Sequence, residues 1–197
     1  MLHHVGVYCA SSNRIDARYV AVAEEMGRLL AERGLELVYG GGQVGLMGAV
    51  ARAAHAHGGR VYGVIPEALK TREGVAYDVA DELVVTGTMQ ERKRLIFTRA
   101  DGFVVLPGGF GTLEELMEVL TLRQLGYHDK PIALVNTDDF FRPLLDLFEH
   151  LYRTGFARPE YRVLYHVAPD PAGALDHLAA YRPATRARGM PVRRPPR

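Results

Sequence analysis

Four short stretches of this sequence carry residue types and spacings that could do chemistry. The densest is LPGGFGTLEE at 106–115, directly after the apolar run GFVV. Gly108, Gly109 and Gly111 open backbone conformations closed to other residues, and Thr112 is placed to cap a following helix. Amides left free at a helix start, at the positive end of its dipole, favour an anion such as a phosphate. Glu114 and Glu115 follow at once, in the expected first turn. Acids there favour the helix in their own right, so either glutamate alone reads as an ordinary surface residue. Consecutive helical residues point about 100° apart, so only one of the pair readily faces a pocket. Glu118 can share a face with either.

The second stretch, MQERKR at 89–94, puts Arg92 and Lys93 at the start of another helix. The third, YGGGQVGLMG at 39–48, has Gly40, Gly42 and Gly45 in a G-x-G-x-x-G pattern after a strand, with Gly41 beside them. That pattern suits a dinucleotide site, but it is not in the first strand–helix turn. The acidic residue it calls for could only be Glu67, which follows a proline. Close turning and helix packing explain the same glycines. No G-K-[ST] Walker sequence occurs in the chain. The fourth stretch, CASS at 9–12, offers the hydroxyls of Ser11 and Ser12. A carboxylate, a guanidinium and a phosphate cradle together point to chemistry on a phosphorylated sugar. Cleaving a ribosyl C–N bond builds positive charge on the ring, which a carboxylate such as Glu115 stabilises. Arg92 can donate hydrogen bonds but stays protonated, so its part is electrostatic.

These stretches need elements to position them, and the rest of the chain supplies them. Strands are expected at 5–10, 35–40, 60–66, 82–87, 102–107, 130–136 and near 162–167. Helices are expected at 16–33, from the glycine loop to His57, and at 88–100, 111–125, 139–153 and 171–181. Asp16 is a candidate N-cap, Gly34 sits where a helix end wants a left-handed residue, and 67–82 reads as a loop holding one helical turn. Continuous apolar strands alternating with helices predict a doubly wound, Rossmann-like α/β fold, with a mainly parallel sheet and helices on both faces. In such a sheet, ligands bind beyond the carboxyl ends of the strands, near the reversal of strand order. Nearly every unusual residue follows a strand.

Composition bounds the rest. The 197 residues are 48% hydrophobic and 24% charged, as in a globular protein, and fit one domain over 1–181. The apolar runs are too short for a membrane span, and the N-terminus lacks the pattern of a secretory signal. One cysteine excludes an internal disulfide, so a cytoplasmic protein is expected. The histidine pairs His3–His4 and His55–His57 are weak metal signals, and no metal is expected. The net charge of +1 hides a tail at 182–197 with six arginines and no acid, expected to be disordered. The remainder is mildly acidic and carries no footprint of a nucleic-acid-binding domain.

Pro107 through Glu115 fit PGGxGTxxE, and MQERK fits MxxRK. With YGGGQVGLMG and YCASS, these motifs resemble, over residues 3–180, the LOG (Lonely Guy) family of cytokinin-activating phosphoribohydrolases, many of them labelled lysine decarboxylases. The resemblance implies hydrolysis of the N-glycosidic bond of an N6-modified adenosine 5′-monophosphate, releasing the base and ribose 5-phosphate without a cofactor. It implies Arg92 and Glu115 as the catalytic pair. The implied substrate contacts are Ser11, Ser12, Gly41, Gly42, Met89, Lys93, Pro107, Gly108, Gly109, Gly111 and Thr112. It implies a homodimer or a higher assembly, with helices 88–100 and 111–125 as interface candidates. The chain departs from the family's usual MHERK at Gln90 and from its frequent CGSS at Ala10. Three rival readings stand beside it: a nucleosidase for plain AMP or another monophosphate, a non-catalytic nucleotide-binding protein, and a lysine decarboxylase. The last needs a Schiff-base lysine among Lys70, Lys93 and Lys130.

Overall fold

Alternate residues of the strands face opposite layers of helices, and this sorts the core into two. Val5 and Val7 of β1 (His4–Tyr8) pack with Leu37 and Tyr39 of β2 (Glu36–Tyr39) against α1 (Ala17–Glu32) and α2 (Gly45–Ala56). Tyr8 and Val38 point the other way, into a layer with Val64 of β3 (Val61–Pro66) and Phe103 of β5 (Gly102–Val105). That second layer is closed by α4 (Met89–Arg99), α5 (Phe110–Gln124) and α6 (Arg142–Thr154). The lack of a side chain at Gly6 admits the Phe103 ring, whose Cδ1 would lie 2.7 Å from a Cβ there. The structure is a computed structural model that describes residues 1–73 and 76–182. Nearly all of the basic tail expected at 182–197 lies outside the described residues.

With α3 (Glu67–Glu73), β4 (Glu82–Thr86), β6 (Ile132–Val135), β7 (His166–Ala168) and α7 (Pro171–Ala180), the strands form one seven-stranded parallel sheet. Its order is β4-β3-β2-β1-β5-β6-β7. The doubly wound, Rossmann-like α/β architecture expected from the sequence is the one observed. Strand order reverses at β1, whose carboxyl end lies beside that of β5. The loops after these two strands are CASS and LPGG, and they are joined by the Ala10 N–H bonding to the Pro107 carbonyl at 3.2 Å.

Local signals were largely followed. Asp16 caps α1 by accepting the Arg18 N–H, and Gly34 takes φ 66° just after that helix. Three expectations are corrected. The strand near 162–167 is mostly a 3-10 turn at Pro159–Leu164, which begins with a proline, and β7 starts only at His166. The helix expected at 139–153 begins at Arg142, because Asp138 and Asp139 adopt positive φ. Residues 67–73 form a helix rather than one turn in a loop.

Candidate active site

The N-terminus of α5 starts three residues earlier than a cap at its threonine would set it. Gly109 is the N-cap residue and Leu113 N–H makes the first intrahelical bond, to the Gly109 carbonyl at 3.0 Å. Thr112 is therefore a buried residue of the first turn rather than a cap, and Glu114 and Glu115 fall in the second turn. The amides of Phe110, Gly111 and Thr112 precede the first helical bond and form the positive end of α5. The glycines here differ in what demands them. A Cβ on Gly108 would lie 2.1 Å from Thr112 Oγ1, so the loop's own packing excludes it. A Cβ on Gly109 or Gly111 would meet nothing within 4 Å, and neither residue has a left-handed φ. The fold does not require glycine at these two positions.

α4 begins with a reciprocal cap: Thr88 accepts the Glu91 N–H at 3.1 Å, and Glu91 accepts the Gly87 N–H at 3.1 Å. This Thr-x-x-Glu start holds Arg92 in the first turn, pointing under the sheet edge. Arg92 is 9% exposed and Glu115 8%. Arg92 Nη1 donates to Glu115 Oε1 at 2.6 Å, while its Nε donates to the Val64 carbonyl at 3.2 Å and Met89 Sδ lies 3.5 Å from Nη1. Burial pushes the Glu115 carboxyl above its ordinary range, and the Arg92 charge and hydrogen bond pull it part of the way back. Of the adjacent glutamates, Glu115 meets the arginine. Glu114 pairs with Lys93 at 2.5 Å, and Lys93 also reaches Glu118 at 3.2 Å.

Met89, Arg92, Glu114 and Glu115 border a cleft of about 370 Å³. Its lining brings together the sequence-predicted Ser11, Ser12, Gly42, Met89, Arg92, Gly109, Gly111, Thr112 and Glu115. Gly41, Lys93, Pro107 and Gly108 are not part of it and act from behind. Gly41 takes φ 73° and gives its carbonyl to Tyr77 N–H, Pro107 ties the two loops, and Lys93 occupies the two outer glutamates. The lining also includes Glu114, read from the sequence as a helix-start acid, and residues the sequence did not single out: Cys9, Met47, Ile65, Leu69 and Phe110. Most lay in the post-strand segments, so position was the signal; Leu69 had none, because its segment read as a loop. Gly40 is the tightest of the glycines lining the cleft, since a Cβ there would lie 2.0 Å from Arg92 Nη2.

The G-x-G-x-x-G stretch is not a second anion cradle. Gly45 N–H donates to Asn13 Oδ1 at 2.8 Å, and Leu46 and Met47 N–H both reach the Ala10 carbonyl. The amides at the start of α2 are thus engaged by the β1 loop, and Glu67 is exposed on α3. A Schiff-base lysine fits no better. No lysine is among the residues lining the cleft, Lys93 is held by two carboxylates, and Lys130 Nζ donates to the Phe97 carbonyl at 2.5 Å.

Fold and cleft together define a Rossmann-like α/β protein with an open helix start set above a buried arginine–glutamate pair. A family profile described as "Possible lysine decarboxylase" matches residues 47–178. The rice (Oryza sativa subsp. japonica) cytokinin riboside 5'-monophosphate phosphoribohydrolase LOG is 44% identical over 90% of this chain and 73% of its own length. The Arabidopsis thaliana enzyme of the same description, LOG5, is 40% identical over 91% of the chain and 78% of its own. Among solved structures, the molybdenum cofactor carrier protein of Chlamydomonas reinhardtii is similar at 26% identity and TM-score 0.68, covering 92% of this chain and 100% of that one. A molybdenum cofactor binding protein of Rippkaea orientalis shares the fold at 22% identity and TM-score 0.70, over 91% and 97%. The chain belongs to the LOG family.

Proposed function

We propose that this protein is a phosphoribohydrolase that releases the free base from an N6-modified adenosine 5′-monophosphate, leaving ribose 5-phosphate. The observation that carries the reading is the pair of glycines, Gly109 and Gly111, which the fold does not need, standing over a buried Arg92–Glu115 pair. A phosphate approaching the α5 amides needs the bare Cα surface that those glycines leave. Glu115 lies six residues beyond Gly109, about 9 Å along the helix axis, which separates the carboxylate from the phosphate by the span of a sugar.

The chemistry follows from those positions. The C1′–N bond breaks with its electron pair leaving on the purine, which takes up a proton from solvent to become the free base, and the ribose ring gains oxocarbenium character. The Glu115 carboxylate stabilises that charge and takes a proton from the water that adds to C1′. Arg92 holds Glu115 ionised against the pull of burial and offers its remaining N–H groups to the substrate. Ser11 and Ser12 of the facing loop add hydroxyls for the phosphate. Ile65, Leu69 and Met89 give the cleft an apolar wall suited to an N6 substituent. This wall also accommodates plain adenine, so AMP is a second substrate under the same proposal. A non-catalytic carrier role gives the buried ion pair no task to offset its desolvation. We also propose a homodimer in the cytoplasm; the exposed Met117 on α5 and Leu125 at its C-cap support an interface there.

The test is Glu115→Gln assayed for free base from isopentenyladenosine monophosphate and from AMP. The variant keeps the fold and loses about 10²-fold or more of the rate. Wild-type turnover falls as pH drops through the raised Glu115 pKa, at higher pH than an ordinary glutamate would dictate. Undiminished turnover in the variant removes Glu115 from the mechanism.

A further inference from the structure

Phe110 is the anomaly of the cleft. It occupies the first position of α5, borders the same cleft as Arg92 and Glu115, and is 94% exposed. Its ring makes no aromatic contact among the described residues and joins neither core layer. An aromatic ring left almost wholly in water forgoes about 1.5–3 kcal/mol of burial, so its place at a cleft mouth asks for an occupant. Its neighbours on both sides are the two glycines, where an added Cβ would meet nothing within 4 Å. The same cleft is lined by the apolar side chains of Ile65, Leu69 and Met89. A purine whose sugar is anchored between the α5 start and Glu115 comes within reach of both these side chains and the Phe110 ring.

We propose that Phe110 is a positioning residue for the reaction: its ring stacks on the nucleobase and closes the open side of the cleft. The inference rests on the nucleotide reading given above. Stacking holds the base while the C1′–N bond lengthens, and it shields the ribosyl cation from bulk water. A flat ring favours a flat base irrespective of its N6 group, so Phe110 supplies affinity common to all purine monophosphates. Discrimination among N6 groups is left to the apolar wall.

The experiment compares Phe110→Ala, Phe110→Trp and wild type for base release from AMP and from isopentenyladenosine monophosphate. Each protein's oligomeric state is measured by sedimentation. Loss of one base–aromatic stack, about 1–3 kcal/mol, raises KM in Phe110→Ala about 5- to 150-fold. The rise is similar for both substrates, with kcat changed far less. Phe110→Trp restores KM. Because the side chain is exposed, the melting temperature of Phe110→Ala stays that of wild type, which separates stacking from a structural role. An unaltered KM overturns the inference, as does a KM change that accompanies dissociation of an oligomer, since Phe110 would then be covered by a second copy. Wild-type protein that releases no base from either nucleotide refutes the hydrolase reading itself, a result distinct from either of these.

Discussion

Arg92 is fixed by three contacts from different parts of the chain: the Val64 carbonyl, Glu115 Oε1 and the Met89 sulfur. Gly40 is a fourth constraint, because the guanidinium occupies the volume a side chain would take. Gly40→Ala places a methyl 2.0 Å from Nη2, and the guanidinium must shift to admit it. A displacement of about 1 Å in a catalytic group costs on the order of 10²-fold in rate. Free-base release by Gly40→Ala should fall by that much while circular dichroism stays that of wild type. The sequence made Arg92 and Glu115 legible through their motifs, but not this contact. Glycine 52 positions before an arginine carries no local pattern, and Gly40 read as one of several turn glycines. Thr112 was misread for a similar reason. A threonine before an apolar run is the usual sign of a cap, but here the glycines before it already carry the helix start.

At the scale of elements, the two layers are built differently. α1 and α2 meet through small residues: a Cβ on Gly27 would lie 2.2 Å from the Val50 carbonyl and 2.8 Å from Ala53 Cβ. The obstruction is backbone, which cannot rotate away. Gly27→Ala gains about 1 kcal/mol of helix propensity and loses more to overpacking, about 1–3 kcal/mol. Denaturant unfolding should show net destabilisation, with kcat at 25 °C unaltered because Gly27, Val50 and Ala53 are not among the residues lining the cleft. Most elements were legible because apolar runs, Asp16 and Gly34 all agreed. The strand expected near 162–167 failed because YRVLYHV has strand composition, while Pro159 and a hydrogen bond from Arg123 Nη1 to the Leu164 carbonyl at 2.8 Å hold its first half in a turn.

The whole molecule also depends on polar groups far from the cleft. Buried His128 receives the Lys130 N–H on Nδ1 at 3.0 Å, so its proton is on Nε2, which donates to the Val119 carbonyl at 2.8 Å. Burial lowers its pKa, and burial with His166 nearby lowers that of His177. Below the ordinary histidine range, about pH 6.5, the unfolded chain binds protons that the folded chain resists. Stability is therefore full above that pH and declines as pH falls toward the lowered values. Asp81 and Asp101, whose pKa values are lowered, stabilise the fold at neutral pH, and that contribution is lost only at more acid pH. Denaturant midpoints should fall between pH 7 and pH 5.5, and His128→Asn should be weaker at pH 7 with a shallower decline.

Cys9 forms part of the floor beneath Arg92 and Glu115, and it is the chain's one cysteine. Burial, with the Glu115 charge second, raises its pKa, so the sulfur stays a thiol and lacks the thiolate that attacks electrophiles. Its silence lasts only while the floor is intact. The molecule thus carries a built-in clock: the rate at which an alkylating reagent finds Cys9 measures how often the catalytic cleft comes apart.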